Sequence, residues 1–146
     1  MRHEKALREG MKKISNQMGW RFFRLEPQNY LYGMAGLPDL LICIRGVWVV
    51  IELKVVEEIR SHYQLTRKIL RQSQLRFHST IHTEFSYIVI YEKSLGVFFL
   101  FPSKFSTTDY KHKINTPEEL YKNAFSDLNE LAISLDEKIQ RKKFYD

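Results

Sequence analysis

The feature that most constrains this chain is a pair of apolar runs separated by a single glycine and interrupted by charge at one shared place. Residues 39–45 read Asp-Leu-Leu-Ile-Cys-Ile-Arg. Residues 47–55 read Val-Trp-Val-Val-Ile-Glu-Leu-Lys-Val, with Gly46 between the two. Such runs, rich in branched residues and bounded by glycine, read as strands, and the tight connection makes them an antiparallel hairpin. Both are apolar on both faces, so both faces are expected to be covered.

Into this hairpin the sequence sets three charges. Asp39 opens the first strand, while Glu52 and Lys54 sit late in the second. Glu52 and Lys54 are two residues apart and share a face, whereas Leu53 points the other way, into the core. A hairpin can bring Asp39 beside Glu52. Two carboxylates and one ammonium are then crowded at one end of an otherwise apolar pair, where uncompensated charge is costly to bury. A divalent cation resolves the problem. Asp39, Glu52, the backbone carbonyl of Leu53 and waters form a hard oxygen site suited to Mg²⁺, with Mn²⁺ able to substitute. Such an ion orients a water, lowers its pKa and neutralises charge building on a phosphate. Lys54 would hold the attacking water and stabilise the transition state. The plainer reading is a structural salt bridge, because short charge patterns recur by chance. The placement of all three charges within strongly apolar strands, directly after Gly36-Leu37-Pro38, weighs toward chemistry.

The rest of the chain supplies a frame. Residues 4–18 read as a helix, with Leu7, Met11, Ile14 and Met18 at helical spacing and Gly19 as its stop. Glu4 extends that apolar face, which suits a carboxylate facing a site at the rim of the core. Residues 20–25 form a strand, and residues 27–38 are turn-rich, with Tyr30 and Tyr32 either packing the loop or stacking on a base. Ser73 is the expected cap of a helix reaching about residue 83. Residues 87–91 and 97–101 are two further strands joined by a turn at 93–96. Thr116-Pro117-Glu118-Glu119 orders a cap, a first-turn proline and a capping-box glutamate, which predicts a helix to about residue 142. No linker divides the chain, so residues 1–146 read as one domain, with a core over about 4–101 and a helical extension over about 116–142.

Composition narrows the class. The chain has 146 residues, 44% hydrophobic and 14% aromatic, enough for one core. It contains no apolar run of roughly 18 residues, so no membrane span is expected. It opens on Met1-Arg2-His3-Glu4-Lys5, which leads into a charged helix instead of an apolar signal region, so an intracellular protein of cytoplasm or nucleoid is expected. The single cysteine, Cys43, excludes an internal disulfide and a Cys-rich zinc site, and is expected to be a buried structural thiol. Basic residues number 23 against 17 acidic ones, a formal net charge of +6, which favours a polyanion partner. Arg60, Arg67, Lys68, Arg71 and Arg76 cluster beside the acidic strand in sequence. They read as a phosphate-tracking surface, with a solvated helix face weighed evenly against it. His78 and His82 have ligand spacing on a helix but no evident third ligand, so a surface or DNA-facing pair is expected.

Gly36-Leu37-Pro38-Asp39, twelve intervening residues and Glu52-Leu53-Lys54 resemble the PD-(D/E)xK nuclease signature. Within that superfamily the chain is most similar to virus-type replication-repair nuclease (VRR-NUC) domains and archaeal Holliday junction resolvases. Ser73-Gln74-Leu75-Arg76-Phe77-His78 resembles the helix that carries the family's glutamine, which Gln74 matches. The family's first-helix glutamate falls on Glu4, with Glu9 as runner-up. The resemblance implies a restriction-endonuclease-like α/β fold: an α-β-β-β-α-β core with a mixed central sheet flanked by helices, here with an extra C-terminal helix. It also implies Mg²⁺-dependent phosphodiester hydrolysis. Asp39 and Glu52 would bind metal, Lys54 would aid catalysis, and Gln74 and Glu4 would complete the site. The expected protein is a DNA endonuclease of recombination, repair or replication, selective for branched, flap or four-way junction DNA. It is expected to act as a homodimer, to need no small-molecule cofactor, and to be compatible with a virus-encoded origin. An RNA-directed or restriction-like endonuclease of the same superfamily is the first alternative. A non-cleaving nucleic-acid-binding module is the second, disfavoured because a binder has no need of carboxylates facing phosphates.

Overall fold

The hairpin turns on two residues in the left-handed region. Arg45 has φ 52° and Gly46 φ 79°, the two positive values that a type I′ turn requires. That turn matches the natural twist of strands, so it fixes the register around the acidic positions. The computed structural model describes residues 2–25, 38–59, 69–81, 84–103 and 121–145. Helix α1 (Arg2–Met18) leads to strand β1 (Arg21–Arg24). The hairpin strands β2 (Leu40–Ile44) and β3 (Val47–Val56) follow, then helix α2 (Gln72–Ile81), strands β4 (Ser86–Glu92) and β5 (Val97–Pro102), and helix α3 (Leu128–Tyr145).

The strands form one mixed sheet in the order β1-β2-β3-β4-β5. Only β3 and β4 run parallel, with Glu52 opposite Ile88 and Lys54 opposite Ile90. A parallel pair needs a crossover, and α2 provides it. The expected α/β fold, with its α-β-β-β-α-β core, mixed sheet and flanking helices, is the one observed.

Helix α1 ends as its sequence dictates. Gly19 takes φ 76°, Trp20 N–H donates to Ser15 C=O at 2.8 Å, and Gly19 N–H donates to Asn16 C=O at 3.3 Å. These are the two bonds of a Schellman cap. Leu7, Met11 and Ile14 pack from α1 against Leu40, Ile42, Ile51 and Leu53 of the sheet, joined by Leu131, Ala132, Leu135 and Ile139 of α3. Each fully buried Leu or Ile contributes roughly 1.5–3 kcal/mol. Helices α1 and α3 therefore cover one face of the sheet, and Leu53 points into that core as expected. A Cβ on Gly10 of α1 would lie 2.7 Å from Leu128 of α3, so glycine permits the close approach of the two helices. A second cluster, with Ile59, Ile69 and Leu70 against Ile88, Ile90, Phe99 and Phe101, lies on the opposite face.

Three expectations are corrected. Coverage of β2 is unequal: Leu40, Ile42 and Ile44 are fully buried, whereas Leu41 and Cys43 are only half-buried. Cys43 is thus a half-buried free thiol. Helix α3 starts at Leu128, and its cap is Asp127, whose Oδ1 accepts from Glu130 N–H at 2.9 Å. Thr116 lies outside the described residues, and residues 122–127 are non-helical, with Phe125 bridging to Phe98. Helix α2 begins at Gln72, one residue before the expected cap Ser73. Among the described residues, no helix is long and apolar enough to cross a membrane.

Candidate active site

The hairpin register brings the two carboxylates together. Leu40 pairs with Ile51, so the next step along the ladder sets Asp39 beside Glu52. Asp39 stands just outside β2, at a bend, with its side chain turned onto β3: its Oδ2 accepts from Leu53 N–H at 2.8 Å. Its own carbonyl accepts from Leu25 N–H at 2.9 Å, which ties the bend to β1. In an extended strand the N–H and C=O of one residue point to the same edge. The Leu53 carbonyl therefore lies on the Asp39 side of β3.

Glu52 is 0% exposed, and neither carboxylate oxygen has a hydrogen-bond donor among the described residues. Its pKa is raised to about 9, first by burial and then by the adjacent Asp39 carboxylate, with Lys54 pulling the other way. An ionised carboxylate without a partner is among the most costly groups to bury. Burial and the adjacent Asp39 carboxylate therefore favour the protonated form of Glu52 near neutral pH. Asp39, Glu52 and the Leu53 carbonyl form a donor set of hard oxygens, which suits Mg²⁺ or Mn²⁺ and not a soft metal. Among the described residues, no cluster of three His, Cys, Asp or Glu side chains could hold a metal. Any ion here would therefore rely on two carboxylates, backbone and water.

Lys54 projects from the same face of β3 and donates from Nζ to Gln74 Oε1 at 2.7 Å. Gln74 is buried in the first turn of α2, and the same oxygen accepts from Arg71 N–H at 3.0 Å. Arg71 holds the cap position, so Gln74 acts as the reciprocal half of a capping box while orienting the lysine. Burial lowers the Lys54 pKa and Arg71 pushes it the same way, while Glu52, Asp39 and Glu4 oppose them. Glu4 is exposed on α1, and its charge acts to raise the Lys54 pKa.

The other sequence candidates divide. Arg71 and Arg76 are exposed near the start of α2, whereas Arg60, Arg67 and Lys68 lie outside the described residues, as do Tyr30, Tyr32 and His82. His78 is corrected outright: it is 4% exposed, not at the surface. Its Nδ1 lies 3.0 Å from Ser86 Oγ, and its Nε2 is buried without a partner among the described residues. Burial, reinforced by Lys54, lowers its pKa to about 4, so it is neutral near pH 7. The sequence carried a signal for this placement, because His78 follows Gln74 by one helical turn and shares its inward face.

No protein-family model matches the chain, and no curated protein matches it. Among solved structures, it resembles Hjc of Archaeoglobus fulgidus, a Holliday junction resolvase from an archaeal hyperthermophile. The TM-score is 0.51 at 16% identity, and the match covers 92% of this chain and 99% of that one. It also resembles a bacterial homing endonuclease, I-Ssp6803I, with TM-score 0.49, 14% identity, and 96% and 94% of the two chains covered. The first likeness shows the fold: this chain has the restriction-endonuclease-like architecture implied by its PD-(D/E)xK resemblance.

Proposed function

We propose that this protein is a metal-dependent endonuclease that hydrolyses DNA phosphodiester bonds, with branched, flap or four-way DNA preferred over plain duplex. The observation that carries the reading is Glu52: a fully buried carboxylate whose two oxygens have no hydrogen-bond partner among the described residues, set beside Asp39 and two residues from a lysine fixed by Gln74. A purely structural ion pair would direct Lys54 at a carboxylate. Here the lysine is held by an amide, and the carboxylates face each other.

In this reading Asp39, Glu52 and the Leu53 carbonyl hold Mg²⁺, with Mn²⁺ able to replace it. When bound there, such an ion would supply an activated water and neutralise charge on the phosphate. Leu53 N–H fixes the rotamer of Asp39. Lys54, held by Gln74, donates hydrogen bonds to the attacking water and to the phosphate oxygens as charge develops. Burial lowers its pKa, which eases loss of its proton relative to a free lysine. Arg71, Arg76 and the basic residues Arg60, Arg67 and Lys68 track the backbone, and Glu4 closes the rim. The chain acts as a single domain over residues 1–146 and works as a homodimer, which presents two sites to two strands.

The test is direct. The purified protein is given linear, flapped and four-way DNA with Mg²⁺ or Mn²⁺, and RNA of matched sequence as competitor. Cleavage of branched DNA that stops on chelation is expected. Absence of cleavage of every substrate with either metal overturns the catalytic reading, and cleavage of RNA alone replaces DNA as the substrate.

A further inference from the structure

Two large aromatic side chains stand in the open on the sheet face that carries the acidic site. Phe23 of β1 is 48% exposed and Trp48 of β3 is 50% exposed. Their ring centroids are 5.6 Å apart, with the planes tilted by 51°. The sheet register places them relative to the site. Phe23 pairs with Leu41, and Leu41 with Val50, which makes one row across three strands. Arg21 pairs with Cys43, and Cys43 with Trp48, which makes the next row. Paired residues share a face, and Val50, Glu52 and Lys54 alternate along the same side of β3. The Phe23 row is therefore the immediate neighbour of the Asp39–Glu52 row, and the Trp48 row lies one step further.

Adjacent rows on one face are two residues apart, about 7 Å at 3.3 Å per residue. The aromatic pair thus begins about 7 Å from the carboxylates and extends to about 13 Å. At 3.4 Å per stacked base, this is about two to four steps along one strand. We propose that Phe23 and Trp48 form a stacking site for unpaired nucleobases next to the scissile phosphate. This deepens the endonuclease reading and rests on it.

The chemistry of the two rows favours nucleic acid over a second copy of the chain. They contain Arg21, Phe23, Leu41, Cys43, Trp48 and Val50, with one cation and no acidic residue. An exposed cation beside aromatic rings is the composition of a single-strand binding surface, in which rings take the bases and arginine takes the backbone. Among the described strands, β1 is the sheet edge. A two-fold contact there would bring the exposed Arg21 of both copies to one seam, which disfavours association. The tilt between the rings forms a wedge, not a flat wall. Bases that have left a duplex can lie against it, whereas stacked and paired bases cannot. The site would thereby select frayed or branched DNA.

Intrinsic fluorescence tests this, because the chain has two tryptophans and the other, Trp20, is 7% exposed. Flapped, single-stranded and blunt duplex oligonucleotides are titrated into the protein in the presence of a chelator, so that nothing is cut. Quenching of Trp48 by flapped and single-stranded DNA, and much less by blunt duplex, is expected. Trp48→Ala and Phe23→Ala should each weaken flapped-DNA binding by roughly tenfold or more, the value of one lost base stack. The salt dependence should not change, since no phosphate contact is removed. Trp48→Phe and Phe23→Tyr should retain binding, and circular dichroism monitors folding of every variant. Flapped-DNA affinity unchanged in both alanine variants overturns the stacking site while leaving the endonuclease reading intact. Loss of all cleavage tests the endonuclease reading separately. Conversion of a dimer to a monomer by Trp48→Ala in sedimentation, with DNA binding retained, assigns the face to a second copy and also overturns the proposal.

Discussion

Lys54 Nζ and Arg71 N–H meet on one atom, Gln74 Oε1, at 2.7 Å and 3.0 Å. A single amide oxygen therefore starts a helix and fixes the ammonium in the acidic site. Gln74→Ala is expected to lose both roles: about 1 kcal/mol of stability, the value of a helix cap, and a larger share of activity. Gln74→Glu separates them. Its carboxylate still accepts from Arg71 N–H, so the melting temperature should hold, but it pairs with Lys54 and withdraws it from the phosphate. Thermal melting and single-turnover cleavage of the two variants check this. Equal activity loss with equal stability loss in both would reduce Gln74 to a structural role.

Substitution of Asp39 distinguishes a ligand from a brace. Asp39→Ala leaves Leu53 N–H without its acceptor and should cost about 1–3 kcal/mol in addition to activity. Asp39→Asn keeps an oxygen for that N–H and removes only the charge. It should melt near the parent and lose metal binding. Lys54→Ala, in contrast, should bind metal normally and cut roughly 10²–10³-fold more slowly, as when one transition-state donor is removed. Calorimetric titration with Mn²⁺, paired with cleavage rates, separates the three variants.

The stability of the metal-free protein should pass through a maximum in mildly acidic solution, because two buried groups slope in opposite directions. Glu52 has its pKa raised from 4.5 to about 9. From pH 4.5 upward the unfolded chain loses a proton that the folded chain retains, so stability falls as pH rises through this window. His78 has its pKa lowered from 6.5 to about 4. Below pH 6.5 the unfolded chain gains a proton that the folded chain refuses, so stability falls as pH drops toward 4. Glu52→Gln should flatten the alkaline limb and His78→Gln the acidic one. Saturating Mg²⁺ should also lift the alkaline limb, since the cation takes the place of the proton. Melting curves from pH 4 to 9 read all four effects, and an alkaline limb unchanged by Glu52→Gln would remove Glu52 as its source.

Much of this was legible in the sequence because it rests on local rules. The end of α1 at Gly19, the hairpin at Gly46, and the shared face of Glu52 and Lys54 follow from φ preference and two-residue periodicity. What escaped depends on distant neighbours. His78 reads as a surface or DNA-facing residue because no third ligand is evident; its spacing from Gln74 points inward, but the identity of its partner, Ser86 of β4, is not local information. Thr116-Pro-Glu-Glu is a strong local signal that reads as the start of one continuous helix, whereas residues 122–127 interrupt it and Asp127 caps a helix whose position is set by the packing of Leu131, Leu135 and Ile139. Half-coverage of Leu41, Cys43 and Trp48 was hidden for the same reason. An apolar strand states that it can be buried, and only the neighbouring elements decide which face is.

The hairpin turn carries a last prediction, because Arg45 meets two opposing demands. Its φ of 52° lies where a side chain is strained and glycine is not. Its guanidinium makes a bidentate pair with Asp136 of α3, Nε to Oδ1 at 3.0 Å and Nη2 to Oδ2 at 2.9 Å, and its carbonyl accepts from Lys143 Nζ. Arg45→Ala removes the pair and keeps the strain, so it should have the lowest melting temperature. Arg45→Gly removes both, so it should melt above Arg45→Ala and close to the parent. Salt separates the two contributions. In 1 M salt, where the Debye length is about 3 Å, the ion pair is screened and the parent should lose its advantage over Arg45→Gly. The gap between Arg45→Gly and Arg45→Ala should remain, because a backbone preference does not depend on ionic strength. A gap that closes with salt would mean that the turn is held by its charges and not by its conformation.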